Sequence, residues 1–122
     1  MSKKVLVVDD DPDVRLFNVT VVEENGFTPI EASDGEEGLK FYKKARESGL
    51  PFDAVIMDLT ISGGMGGKEG IRELKRIDPD ARVIVSSGYS GDPVMSEFRE
   101  YGFVGVVQKP YKIEDRVQQA NT

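Results

Sequence analysis

Two aspartates in succession, Asp9 and Asp10, stand at the end of the apolar run Val5-Leu6-Val7-Val8, and a second run, Ala54-Val55-Ile56-Met57, ends on Asp58. A short continuous apolar run bounded by polar residues reads as a strand covered on both faces. If the two runs are neighbours in one parallel sheet, their C-terminal ends lie at the same edge. Three carboxylates then meet in a crevice of the kind where open α/β sheets bind ligands. Like charges crowded together disfavour one another's ionised forms, so the cluster is costly unless a cation neutralises it. An oxygen-only donor set points to a hard cation, Mg²⁺ above others, with Mn²⁺ as a substitute. The chain has neither Cys nor His. That excludes disulfides, thiolate nucleophiles, Cys- or His-ligated zinc and Ser-His-Asp hydrolases.

The elements that must carry these groups alternate between short apolar runs and amphipathic segments, the pattern of βα units and a parallel sheet. After the first strand, Asp11 suits an N-cap and Pro12 the first helical position. Val14, Phe17 and Val21 follow helical spacing, and Asn25-Gly26 supplies a stop. Phe27 to Glu31 reads as a second strand. Asp34 caps a second helix with Leu39 and Tyr42, ending near Ser48-Gly49. Asp53 to Met57 is the third strand, and a glycine-rich stretch, Ser62-Gly63-Gly64-Met65-Gly66-Gly67, follows it. A third helix holds Ile71, Leu74 and Ile77 and stops before Pro79. Val83-Ile84-Val85 is the fourth strand and runs into Ser86-Ser87-Gly88. Pro93 opens a fourth helix with Met95, Phe98 and Tyr101, closed by Gly102. Val104 to Val107 is the fifth strand, ended by Lys109-Pro110, and Ile113 to Thr122 is expected to be a frayed fifth helix.

The 122 residues suit one domain, residues 1–122, with one core. A net charge of −6 with dispersed acids argues against direct contact with nucleic acid. No apolar stretch approaches the ~20 residues that span a bilayer, and Val5 to Val8 is too short for a signal-peptide core. A cytoplasmic location without membrane contact is expected. Functional groups fall at four strand ends: Asp9 and Asp10, then Asp58, Ser87 and Lys109. Singly, such an Asp is more often a cap or turn residue, and a Lys before Pro usually points to solvent. Four strand ends carrying complementary groups favour a shared site over four separate coincidences.

Val7-Val8-Asp9-Asp10, the strand-terminal Asp58, Ser87-Gly88 and Lys109-Pro110 together resemble the signature set of two-component receiver domains, the chemotaxis-regulator type. The resemblance covers essentially the whole chain. The half from Asp58-Leu59-Thr60-Ile61 to Ser87-Gly88-Tyr89-Ser90 is similar to receiver domains of hybrid sensor histidine kinases. It implies a flavodoxin-like, doubly wound five-stranded parallel sheet in order 2-1-3-4-5 with five helices. By resemblance, Asp58 is the phosphoacceptor. Asp10, Asp58 and the backbone carbonyl of Thr60 hold Mg²⁺ directly, and Asp9 reaches it through water. Lys109 pairs with a phosphoryl oxygen and the Ser87 hydroxyl bonds another, with Ser86 in that role if the register is one residue off. The donor is a histidine kinase, a phosphotransfer domain or a small acyl phosphate. The chain is thus a signalling phosphoacceptor rather than an enzyme, with weak self-phosphorylation from small donors and slow self-dephosphorylation. No output module fits beside the domain, so output is expected through a downstream protein or neighbouring domain on the face of the fourth helix, fifth strand and fifth helix.

The sequence departs from the family at two places. Ser62 stands where receivers usually have Pro, and Val106 where many carry a switch Tyr or Phe. Gly63 to Lys68 resembles a phosphate-binding P-loop. However, Ser62 stands where that motif needs Gly, and Glu69 where it needs a hydroxyl. An Asp-nucleophile phosphatase would need a second acid at Thr60. A degenerate receiver that only binds a partner would be expected to have lost part of the acidic pocket or Lys109.

Overall fold

The computed structural model describes residues 3–59, 67–87 and 93–108. Its elements are β1 (Lys3–Val8), α1 (Pro12–Glu24), β2 (Phe27–Ala32), α2 (Gly35–Glu47), β3 (Ala54–Asp58), α3 (Gly67–Ile77), β4 (Val83–Ser87), α4 (Pro93–Ser96) and β5 (Gly105–Gln108). The strands form one sheet in the order β2-β1-β3-β4-β5, and every neighbouring pair runs parallel. This is the flavodoxin-like order that the family resemblance implies. The expected fifth helix lies outside the described residues.

The local signals account for most of the boundaries. The Asp11 side chain accepts from the backbone N–H groups of Asp13 and Val14 at 2.9 and 3.4 Å, with Pro12 at the first helical position. Asp34 accepts from Glu37 N–H at 2.8 Å, and the Glu37 side chain reaches back to Ser33 N–H at 2.9 Å. These caps satisfy donors that a helix start leaves without a partner. At the end of α2, Leu50 N–H bonds Ala45 O and Gly49 N–H bonds Arg46 O. Gly49 has φ +80°, the left-handed turn that glycine permits at a helix C-terminus.

The core has two layers, one on each sheet face. Leu6, Val8, Val55, Met57, Val83 and Val85 point to the face covered by α2, α3 and α4, where Tyr42, Ile71, Leu74, Val94 and Phe103 are buried. Val5 and Val7 point the other way, against Val19 and Val22 of α1. Two expectations need correction here. The buried face of α1 is Asn18, Val19 and Val22, whereas Phe17 and Val21 are 38% and 40% exposed. The fourth helix is regular only over Pro93–Ser96. Glu97 N–H still bonds Pro93 O, but Glu100, Tyr101 and Gly102 bond three residues back, a tighter winding. The stop at Gly102 is where the sequence put it. Phe103 N–H bonds Phe98 O and Gly102 N–H bonds Arg99 O, the paired closure of a helix C-terminus, and this turns Phe103 into the core.

A polar latch closes the edge opposite the strand-end aspartates. The Tyr42 hydroxyl donates to Asp78 at 2.7 Å, its ring stacks on Phe52, and Arg46 reaches both Asp78 and the carbonyl of Ile77. Burial, reinforced by the bond to Asp78, pushes the Tyr42 hydroxyl above the ordinary tyrosine range. The same bond holds the Asp78 carboxyl below the usual carboxylate range. A raised folded-state value for Tyr42 means that its contribution is whole below about pH 10 and is lost as pH rises toward the raised value. A depressed value for Asp78 means that its contribution is present above about pH 4 and is lost as pH falls through the depressed value. Tyr42→Phe is expected to cost about 1 kcal/mol at neutral pH. It should also flatten the loss of stability above pH ~10, both read by urea unfolding of the two proteins across pH.

Candidate functional site

The parallel register brings the strand ends together. Val8 of β1 pairs with Met57 of β3, so Asp9 and Asp58 are the next residues at one sheet edge. Because side chains alternate along a strand, Asp9 follows Val7 and Asp58 follows Ile56 onto the α1 face. Asp9, Asp10 and Asp58 each place a carboxylate oxygen within 4.8 Å of the other two. Asp9 and Asp58 are almost fully buried, and Asp10 is the more open member. Two unit charges at this distance repel by about 3 kcal/mol at an effective dielectric of ~20. The three-carboxylate, all-oxygen cluster fits a small hard dication. It offers nothing to a soft metal.

The surrounding backbone holds this geometry. Asp11 N–H donates to Asp9 Oδ1 at 2.9 Å, fixing that carboxylate. Arg15, one turn into α1, donates to Asp9 O at 2.8 Å and pairs with Glu31 at 3.0 Å, tying the loop after β1 to β2. Arg15 carries no sequence signal of this role, because the pattern of α1 marks only its apolar residues. Beyond Asp58, Leu59 N–H donates to Ser86 O at 2.8 Å, and Gly67 N–H donates to Leu59 O at 3.0 Å. A Cβ on Gly67 would lie 2.9 Å from Leu59 Cα and 3.1 Å from Asp58 O. Both neighbours are backbone atoms that cannot turn aside. Gly67→Ala is therefore expected to cost about 1–3 kcal/mol and to weaken divalent-cation binding by shifting the Asp58 strand end. Urea unfolding and a Mg²⁺ titration of the variant check both parts.

Ser87 ends β4, buried, in register with Gln108 of β5. Ser86 is buried beside it and in register with Asp58. The other two expected site residues, Thr60 and Lys109, lie outside the described residues, as does the glycine-rich stretch from Ser62 to Gly66. Val106, at the place of the family's switch aromatic, is 38% exposed. Among the described residues, no helix is long and apolar enough to cross a membrane.

Residues 5–121 match the family model of the response regulator receiver domain. The chain belongs to the response regulator receiver family. It is 30% identical over 115 residues to sporulation initiation phosphotransferase F of Bacillus subtilis, covering 94% of this chain and 88% of that protein. It is also 30% identical to the chemotaxis protein CheY of Thermotoga maritima, over 99% of this chain and 97% of that one. A match to the sensor kinase CckA of Brucella abortus is 31% identical but spans only 12% of that longer protein. Among solved structures, the CheX–CheY–BeF₃–Mg²⁺ complex of Borrelia burgdorferi superposes with a TM-score of 0.78 at 26% identity, over 97% of this chain and 86% of that one. Like those receivers, this one is a signalling domain of two-component systems, in which sensor kinases also carry related domains.

Proposed function

We infer that this receiver, read as one domain over residues 1–122, accepts a phosphoryl group on Asp58 in a Mg²⁺-dependent step. The observation that carries the reading is the meeting of Asp58 with Asp9 and Asp10 within 4.8 Å at the C-terminal sheet edge. An Asp58 oxygen attacks phosphorus, and the bond from phosphorus to the donor's nitrogen or oxygen breaks with its electron pair staying on the donor. No proton leaves Asp58, because the ionised carboxylate is already the nucleophile. Asp10, Asp58 and the Thr60 carbonyl would hold the cation directly, with Asp9 reaching it through water. When bound, Mg²⁺ (or Mn²⁺) offsets the charge of the carboxylates and of the incoming phosphoryl oxygens. Lys109 and the Ser87 hydroxyl bind the remaining phosphoryl oxygens.

The donor is a phosphohistidine on a histidine kinase or phosphotransfer domain, or a small acyl phosphate. The chain's relation to a phosphotransferase and to sensor kinases supports this. The BeF₃ and Mg²⁺ in the Borrelia relative's complex support the site chemistry. The added charge shifts an existing equilibrium of the site loops and presents the face of α4, β5 and the chain beyond to a downstream partner, within the cytoplasm. Val106 offers no ring to bury, so the shift runs through Ser87 and Lys109 without an aromatic swing. Intact mass after incubation with acetyl phosphate tests the reading. One phosphoryl adduct is expected with Mg²⁺ and none with chelator. No adduct, together with no beryllofluoride binding, would overturn it.

A further inference from the structure

We propose that Ser86, and not only Ser87, serves the phosphoacceptor site, where its hydroxyl donates to the Asp58 carboxylate as the phosphoryl group leaves. Its role is to shorten the lifetime of the acyl phosphate. This inference rests on the reading of Asp58 as phosphoacceptor.

Three observations carry it. Ser86 is 1% exposed, and among the described residues its Oγ has no hydrogen-bond partner. A buried hydroxyl left in that state is costly, and such groups in folded proteins call for an explanation. Ser86 is also the register partner of Asp58, held there by the bond from Leu59 N–H to Ser86 O. Finally, alternation sends Val83 and Val85 into the core on the α2–α3 face, so Ser86 follows Ile84 onto the opposite face. That is the face onto which Asp58 follows Ile56, across a strand spacing of about 4.8 Å. Among the described residues, Ile56 and Val7 lie further along this face, and α1 buries Asn18 on the same side as Val19 and Val22. Among the described residues, Asp58 is the register partner whose carboxylate the hydroxyl would meet by rotating about χ1.

The chemistry gives the hydroxyl a use in one direction of the reaction. In hydrolysis, a water oxygen bonds phosphorus and its proton passes to the departing inorganic phosphate. The bond between phosphorus and the Asp58 oxygen breaks, and the electron pair stays on Asp58 as a carboxylate. That oxygen regains its charge in a place closed to solvent. A hydroxyl donor stabilises the charge there, and so speeds loss. In phosphoryl uptake, Asp58 starts as the carboxylate, so a hydroxyl turned onto it would stabilise the starting state and the transition state almost alike. Ser86 should therefore act on loss and spare uptake.

The test follows phosphoryl loss after removal of excess acetyl phosphate, and initial uptake, in the wild type, Ser86→Ala and Ser86→Thr. Ser86→Ala is expected to hold its phosphoryl group about tenfold longer, to take it up within about twofold of the wild-type rate, and to be at least as stable to urea. Ser86→Thr keeps the hydroxyl and should return the lifetime to that of the wild type. A Ser86→Ala lifetime equal to the wild type would overturn the proposal, because the hydroxyl would then be merely buried. So would uptake and loss changed by the same factor, which would mean general repacking. Failure of the wild type to take up any phosphoryl group would instead overturn the Asp58 reading, and this proposal with it.

Discussion

Asp58→Asn takes up no phosphoryl group from acetyl phosphate and Mg²⁺ under conditions in which the wild type gains one. The expectation is sharp because the two side chains are nearly isosteric. Asn keeps the shape of the strand end but loses the anionic nucleophile. Asp9 and Asp10 remain in the variant within the same cluster. An adduct that persisted would therefore place the acceptor on a neighbouring carboxylate, which peptide mass mapping would locate. The substitution should also raise stability in the absence of divalent cations. Three carboxylate oxygens within 4.8 Å of one another become two, and Asp58 is among the most buried residues of the chain. A gain of about 1 kcal/mol or more in metal-free urea unfolding is expected from relief of that repulsion. A loss of stability in chelator would instead show that Asp58 holds the strand ends together through its hydrogen bonds.

Much of this site could be read in the sequence, because strand ends are where local and global signals coincide. The two apolar runs fixed β1 and β3, and the acids that ended them fell at one edge once the strands were parallel neighbours. The caps Asp11 and Asp34 and the stops at Gly49 and Gly102 follow from backbone chemistry that acts over a few residues. What stayed hidden depends on facing partners. Helix α1 has apolar residues on most of its circumference, Val14, Leu16, Phe17, Val19, Val21 and Val22, so periodicity alone could not choose Val19 and Val22 as its inner face. Arg15 reads as a solvated charge until the carbonyl of Asp9 and the carboxylate of Glu31 are seen beside it. Gly67 read as the end of a glycine-rich stretch, yet it lets α3 pack closely on the Asp58 strand end. Ser86 and Ser87 are adjacent and chemically alike. Their different environments, one in register with Asp58 and the other with Gln108, exist only in the sheet.

Removing divalent cations should have the second large effect. The carboxylates of Asp9, Asp10 and Asp58 are held at mutual distances that cost free energy in the absence of a cation, and the fold maintains them through Asp11 N–H, Arg15 and the Leu59–Ser86 bond. A cation that binds the folded chain and not the unfolded one stabilises it by mass action, by about 2.7 kcal/mol at one hundred times its dissociation constant. Urea midpoints should thus rise with Mg²⁺ and fall back with chelator, while KCl at matched ionic strength gives only a small part of the rise. Asp10→Asn should weaken the Mg²⁺ response at least about tenfold, because it removes a ligand charge from the more open side of the cluster without disturbing the buried pair. Its metal-free stability should equal or exceed that of the wild type, since the same change relieves repulsion. These opposite signs separate a cation site from a structural cluster. A purely structural Asp10 would lose stability on substitution and leave the Mg²⁺ response intact, and that result would remove the cation from the site.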